Sequence, residues 1–196
     1  MVKQREFALS PQVMIILPHQ YGSKLYSKLI EVDHEYTVPL KPLDIVKKSC
    51  RYYASSYSGR KEGTKALIGV THKAPIVIDP YQGIYLFPTA SPGRADCIWI
   101  SHSHVEDFQK AEHSKTEVLF SNGQSLVISV SAHTFQQQMY RTLNLRAKIE
   151  QRLAEYDMQT YPFFHPNFSM ERSNVYQIYP KDSSLTPLSK NRLYKK

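Results

Sequence analysis

The sequence predicts an α+β fold, in which a mostly antiparallel β body is followed by one long C-terminal amphipathic helix and a flexible tail. Three observations lead to this prediction. Short apolar segments separated by turn-forming residues fill the first hundred positions, an Asn-Gly hairpin follows them, and an apolar stripe at helical spacing follows the hairpin. After the stripe the chain becomes polar, which favours one domain over residues 1–157 and a tail over residues 158–196.

The β body is predicted from short segments in which β-branched and aromatic residues are bounded by turn formers. Prolines punctuate these segments, and each proline removes a backbone donor and so favours edges, turns or strand ends. The predicted strands are Val13–Leu17, Glu35–Leu40, Arg51–Tyr57, Ala66–Thr71, Ile76–Asp79, Ile84–Phe87 and Ile98–Ser101.

A hairpin is predicted where residues 117–120 and 126–130 flank the tetrapeptide Ser121-Asn122-Gly123-Gln124. The Asn-Gly pair accepts the positive φ angles of a type I′ turn, so we expect that turn to join the two strands.

A helix is predicted from Thr134 to Tyr156, where apolar residues recur at steps of two to four positions. We expect this stripe to pack against the β body, and we expect the basic residues between its members to form a solvated outer face. The stripe comprises Phe135, Met139, Leu143, Leu145, Ile149 and Leu153, and the outer face Arg141, Lys148 and Arg152, with Arg146 to one side.

Composition and charge limit the class of protein. The chain has 196 residues and a net charge of +8, and a basic excess of this size attracts polyanions such as nucleic acid or an anionic membrane surface. Its longest early apolar run, Val13 to Leu17, is too short for a secretory signal or a membrane span, so we expect a cytoplasmic protein. In that reducing compartment Cys50 and Cys97 are expected to be free, buried thiols.

Most of the basic excess lies in one segment, because residues 41–73 carry a net charge of +6. Basic, aromatic and hydroxyl side chains interleave there, and glycines allow backbone amides to approach phosphates. This pattern indicates nucleic-acid binding, with a solvated strand–turn–strand as the alternative. The predicted DNA-binding residues are Lys47, Lys48, Arg51, Ser55, Ser56, Tyr57, Arg60, Lys61, Lys65 and Lys73.

The mode of DNA contact is predicted from the same segment. Arg60 and Lys61 stand between Gly59 and Gly63, so we expect a turn from which they enter an A·T-rich minor groove. The sequence shows no helix-turn-helix, zinc-finger or basic-zipper spacing, and therefore strands or loops are expected to make the contacts.

A metal site is an alternative use of Cys97, His102 and His104, with Cys50 and His72 elsewhere in the chain. Structural zinc sites usually bring their ligands in close pairs, which favours buried thiols and surface imidazoles here. No catalytic motif is recognisable, so neither catalysis nor a cofactor is expected. Two other functions remain open: a zinc-dependent nucleic-acid enzyme, and a non-specific basic nucleic-acid-binding or structural protein.

The basic segment resembles the ComK competence transcription factors of Bacillus and its relatives. The resemblance is carried by residues 41–64, Lys-Pro-Leu-Asp-Ile-Val-Lys-Lys-Ser-Cys-Arg-Tyr-Tyr-Ala-Ser-Ser-Tyr-Ser-Gly-Arg-Lys-Glu-Gly-Thr, and it covers roughly Leu25 to Arg152. Later segments follow in the family's order and spacing, at residues 72–80, 86–89, 99–105, 116–123 and 140–142.

The resemblance implies a sequence-specific transcriptional activator of competence genes that binds paired A·T-rich boxes of double-stranded DNA, mainly through the minor groove. It further implies a homodimer or a pair of dimers, contact with RNA polymerase, a location at the nucleoid, and no role for a membrane.

The resemblance also implies regulated proteolysis, in which a MecA-type adaptor delivers the protein to the ClpC–ClpP protease. The family's adaptor motif is similar to Tyr176, Gln177, Ile178, Tyr179, Pro180 and Lys181, with Gln177 standing where the motif has an apolar residue.

Overall fold

A computed structural model describes residues 8–160, with side chains described to residue 155. Contacts divide the chain into one unit that ends at Ala154 and a second that begins at Glu155. The elements described below belong to the first unit, apart from the end of the last helix. The adaptor-like motif at Tyr176–Lys181 lies outside the described residues.

Six strands form a central antiparallel sheet. They are β1 (Val13–Tyr21), β2 (Lys24–Glu31), β3 (Glu35–Val38), β4 (Ile76–Asp79), β5 (Ile84–Pro88) and β6 (Trp99–Ser101). Their order across the sheet is β3-β2-β1-β6-β5-β4. Five of the seven predicted strands are confirmed here with small changes in their ends, whereas β2 was not predicted because Lys24 and Lys28 interrupt its apolar pattern.

The two remaining predicted strands are wrong, because residues 51–57 and 66–71 lie in or beside two helices. These are α1 (Pro42–Tyr52) and α2 (Tyr57–Ile68), which fill the connection between β3 and β4. Tyrosines and β-branched residues favour strands locally, but here tertiary packing outweighs that preference.

A second antiparallel sheet contains β7 (Val105–Ala111), β8 (Lys115–Phe120) and β9 (Ser125–Ile128) in that order. The predicted hairpin joins β8 to β9 and is confirmed, but its type I′ turn is wrong. Only Gly123 has a positive φ, of 80°. The Asn122 side chain instead accepts the Gln124 N–H at 3.0 Å and donates to the Val32 carbonyl at 3.1 Å.

The final helix, α3 (Ala132–Thr160), confirms the predicted amphipathic helix and extends it at both ends. Its buried positions are Phe135, Gln138, Thr142 and Leu145, at alternating steps of three and four. Leu143 was assigned to the packed stripe, and that assignment is wrong because its side chain is 51% exposed. Within the described residues, no helix has the length and apolar character needed to cross a membrane.

Apolar side chains alternate between the two faces of the central sheet, so each face has its own core. On one face Ile16, Leu29 and Trp99 pack with Ile45 and Val46 of α1. On the other face Ile15, Ile30 and Ile100 pack with Phe120 of β8 and Phe135 of α3. The helices α1 and α2 are therefore on the opposite face of the sheet from α3, which confirms an α+β body followed by a C-terminal helix.

Candidate nucleic-acid interface

The helix α1 holds three of the predicted DNA-binding cations. Pro42 begins it, and its buried residues Pro42, Ile45, Val46, Ser49 and Cys50 recur at helical spacing. Ser49 ties the helix to the N-terminal segment, since its Oγ accepts the Leu9 N–H at 3.0 Å and donates to the Ile45 carbonyl at 2.9 Å. The side opposite this buried face carries Lys47, Lys48 and Arg51.

A four-residue connection, residues 53–56, leads directly into α2. Ser56 caps α2, because its Oγ accepts the Gly59 N–H at 3.0 Å. Gly69 ends the helix with a left-handed φ of 72°. Gly59 and Gly63 both lie inside α2, so the predicted glycine-flanked turn is wrong, and the expectation that strands or loops carry these basic residues is wrong with it.

Five cations of α1 and α2 form what we call the basic surface. Arg51, Lys61 and Lys65 are exposed, Lys47 and Lys48 are half-buried, and none of the five forms an ion pair with another described residue. Each helix places its cations three or four residues apart and so on one side. Uncompensated charge of this kind is available to the phosphates of a polyanion.

Tyr52 joins the basic surface as an exposed aromatic side chain that the sequence reasoning did not single out. It is 55% exposed at the end of α1, and its ring meets the Tyr53 ring edge-on, with centroids 5.1 Å apart. Its place among alternating basic and aromatic residues was the signal that could have identified it.

Two of the predicted DNA-binding residues serve the fold. The Tyr57 ring packs edge-on against buried Trp99, with centroids 6.4 Å apart, and burial raises the pKa of its hydroxyl to about 12. Arg60 is half-buried, and its Nη2 donates to the Ile78 carbonyl at 3.3 Å on β4. Neither side chain is displayed for DNA as the sequence suggested.

The other three predicted residues are also placed differently from the basic surface. Ser55 is half-buried in the connection, with its N–H bonded to the Cys50 carbonyl at 2.9 Å. The hydroxyl of Ser56 is used by the helix cap described above. Lys73 follows α2 and lines a pocket with residues of α3.

Replacing Arg60 by alanine should destabilise the protein, contrary to the expectation from a turn-borne, exposed charge. Loss of the bond to Ile78 and of side-chain packing should cost ~1–3 kcal/mol of unfolding free energy. The matched change Lys61→Ala removes an exposed cation one position away and should cost ~0.5 kcal/mol or less. Urea unfolding of both variants tests this, and equal midpoints for the two would contradict the anchoring role of Arg60.

The alternative zinc ligands are not assembled into a site. Cys97 is buried in the core, whereas His104 bridges two segments, with Nε2 2.7 Å from the Pro11 carbonyl and Nδ1 2.8 Å from Ser121 Oγ. His102 is half-buried, and burial lowers its pKa. Among the described residues, no three His, Cys, Asp or Glu side chains are grouped to hold a metal ion.

The prediction of free, buried thiols is confirmed. Cys50 and Cys97 are both unpaired and buried. Burial raises the pKa of Cys97 and raises that of Cys50 to about 11, so both thiols stay protonated at neutral pH. Protonated thiols are poor nucleophiles and poor metal ligands.

An α+β body with an uncompensated cationic surface on consecutive helices is typical of proteins that bind polyanions. This chain belongs to the ComK family, since the family model described as ComK protein matches residues 4–154. It is 44% identical over 147 residues to the competence transcription factor of Bacillus subtilis (strain 168), across 75% of this chain and 77% of that protein. The resemblance identified in the sequence is confirmed. No solved structure matches the chain.

Proposed function

We propose that this protein is a DNA-binding transcriptional activator of competence genes that acts in the cytoplasm, at the nucleoid. Family membership and the name of its Bacillus subtilis relative support the biological role. The observation that carries the physical part is the basic surface, five cations on α1 and α2 that lack a carboxylate partner among the described residues.

The basic surface would bind DNA chiefly through phosphates. Lysines act as point charges toward the backbone, whereas an arginine is favoured where a narrow A·T-rich minor groove concentrates negative potential. Arg51 is the exposed arginine of this surface, at the end of α1, while Arg60 is bonded to Ile78. We therefore assign the groove contact to Arg51, and the phosphate contacts to the four lysines.

The finer features of the proposal come from the family resemblance. Paired A·T-rich boxes would be bound by a homodimer or a pair of dimers, mainly through the minor groove, and the bound protein would contact RNA polymerase. The minor groove suits this preference, because it distinguishes A·T from G·C pairs while offering little further sequence information.

Footprinting on an A·T-rich promoter duplex tests this function. Protection should be lost on adding poly(dA·dT) or a minor-groove drug, and should persist with an equal mass of poly(dG·dC). Equal competition by both polymers would instead favour a non-specific basic protein, and loss of binding with chelation would favour a metal-dependent enzyme.

Truncation after Asp157 should leave a folded, DNA-competent protein that escapes regulated degradation. The residues beyond that point offer little apolar sequence for a core, whereas Tyr176, Ile178 and Tyr179 can anchor in an adaptor groove and Pro180 limits the ordering cost. Turnover by MecA-type adaptor and ClpC–ClpP should be measured beside DNA affinity. A full-length Tyr179→Ala variant controls for loss of the tail as a whole. Equal turnover of truncated and intact protein would remove the degradation role from the tail.

A further inference from the structure

A second cationic feature lies away from α1, in a pocket between the segment that follows α2 and the first turns of α3. The pocket has a volume of about 300 Å³. Four of its lining residues are basic or imidazole side chains, and none of the described lining residues is acidic. These four are His72, Lys73, His133 and Arg141.

The four side chains are without anionic partners in the described part of the chain. None of them forms an ion pair with a described residue. Lys73 and Arg141 are half-buried, while both imidazoles are exposed at the rim. Two permanent cations held partly out of water repel each other unless an anion lies between them.

The wall of the pocket is organised by one buried side chain, Gln138, which is 2% exposed. Its Nε2 donates to the Lys73 carbonyl at 3.0 Å and to the Pro88 carbonyl at 2.6 Å. Its Oε1 accepts a bond from Arg141 Nη1 at 3.3 Å. One buried amide therefore fixes both the backbone of the pocket lysine and the guanidinium of the pocket arginine.

The backbone at the pocket is strained as well. Lys73 has a φ of 48°, in the left-handed region that a residue with a Cβ adopts only at a cost. Strained residues held by surrounding bonds are concentrated at ligand sites, where they preorganise a side chain. At this position the bond from Gln138 to the Lys73 carbonyl holds the strained conformation.

We propose that this pocket binds a phosphate group. A guanidinium matches two phosphate oxygens, an ammonium adds a point charge, and imidazole N–H groups supply further donors. The phosphate can come from a small phosphorylated ligand or from the backbone of bound DNA, and the chemistry of the site is the same for both. The proposal does not depend on the DNA-binding function proposed above, because it stands on the pocket alone.

Calorimetric titration with pyrophosphate tests the small-ligand source. Wild-type protein should bind it, and Lys73→Gln and Arg141→Gln should each weaken binding by roughly tenfold, as expected when one charge-assisted contact is lost. Lys148→Gln removes an exposed lysine elsewhere on α3 and should leave the affinity unchanged. In imidazole nuclear magnetic resonance spectra, pyrophosphate should shift His72 and His133, while exposed His19 and His113 stay in place.

A salt titration of DNA affinity tests the other source. If the pocket holds a backbone phosphate, each of the two substitutions should lower the salt slope by about 0.9 and pyrophosphate should compete with the duplex. Pyrophosphate binding without such competition assigns the pocket to a small ligand, and it does so even if wild-type protein fails to bind DNA. If neither pyrophosphate affinity nor the salt slope responds to Lys73→Gln and Arg141→Gln, the phosphate pocket is refuted.

Discussion

Replacing Arg51, Lys61 and Lys65 together by glutamine is expected to reduce DNA affinity by roughly a hundredfold at 0.1 M salt and to lower the salt slope by about 2.7. Each cation that neutralises a phosphate releases a counterion, so three lost contacts change the slope by three increments of about 0.9. All three side chains are exposed, and their loss should change the unfolding free energy little.

Net charge must be separated from position in that experiment. The triple change Lys110→Gln, Lys115→Gln and Lys148→Gln removes the same charge from exposed positions on β7, β8 and α3. Long-range attraction would weaken equally in both triple variants, whereas direct contact predicts the loss for the first triple variant alone. Similar salt slopes for the two variants would show that the basic surface is not the interface. A further comparison isolates the groove, since Arg51→Gln by itself should reduce the preference for A·T-rich over G·C-rich duplexes.

Truncating Leu145 to alanine is expected to cost ~2–5 kcal/mol of unfolding free energy, because its side chain is fully buried at 0% exposure on α3. Truncating Leu143, two positions earlier, should cost ~0.5 kcal/mol or less, because that side chain is 51% exposed. The two changes delete the same atoms from the same helix. Their difference therefore measures burial alone, with helix propensity held constant.

Chemical unfolding of the Leu143→Ala and Leu145→Ala variants, monitored by circular dichroism, provides the measurement. Both proteins should bind DNA as wild type does while folded, since neither leucine belongs to the basic surface. If Leu143→Ala proves as destabilising as Leu145→Ala, the helix stripe expected from the sequence would be restored. An undiminished midpoint for Leu145→Ala would mean that α3 does not pack on the sheets as described.

Local patterns were sufficient for the elements that the sequence predicted correctly. The strands at residues 76–79 and 84–88 are buried along their whole length, so each reads as a continuous apolar run. The hairpin was readable from Asn122-Gly123, although the turn uses only the glycine's positive φ. For α3, apolar spacing was sufficient to predict a helix, but insufficient to say which leucine faces the core.

The helices α1 and α2 were missed because their buried faces contain few strongly apolar residues. In α1 the buried face includes Pro42, Ser49 and Cys50, and in α2 the buried residue is Thr64, whose hydroxyl donates to the Pro75 carbonyl at 2.9 Å. Hydrogen bonds to distant backbone groups hold such faces in place, and no local period reports them. The terminal signals were nevertheless present, with Pro42 at the start of α1 and Gly69 after α2.

By itself the sequence determined the α+β class, the long C-terminal helix, the concentration of positive charge in residues 41–73, and membership of the ComK family. Only the tertiary structure decided which of those cations are available, because availability depends on contacts with residues far away in the chain. Arg60 is bonded to a carbonyl on β4, and Lys73 is held by Gln138 of α3, 65 positions later. Charge is a property of composition, but its exposure is a property of packing, and packing joins residues that no local pattern relates.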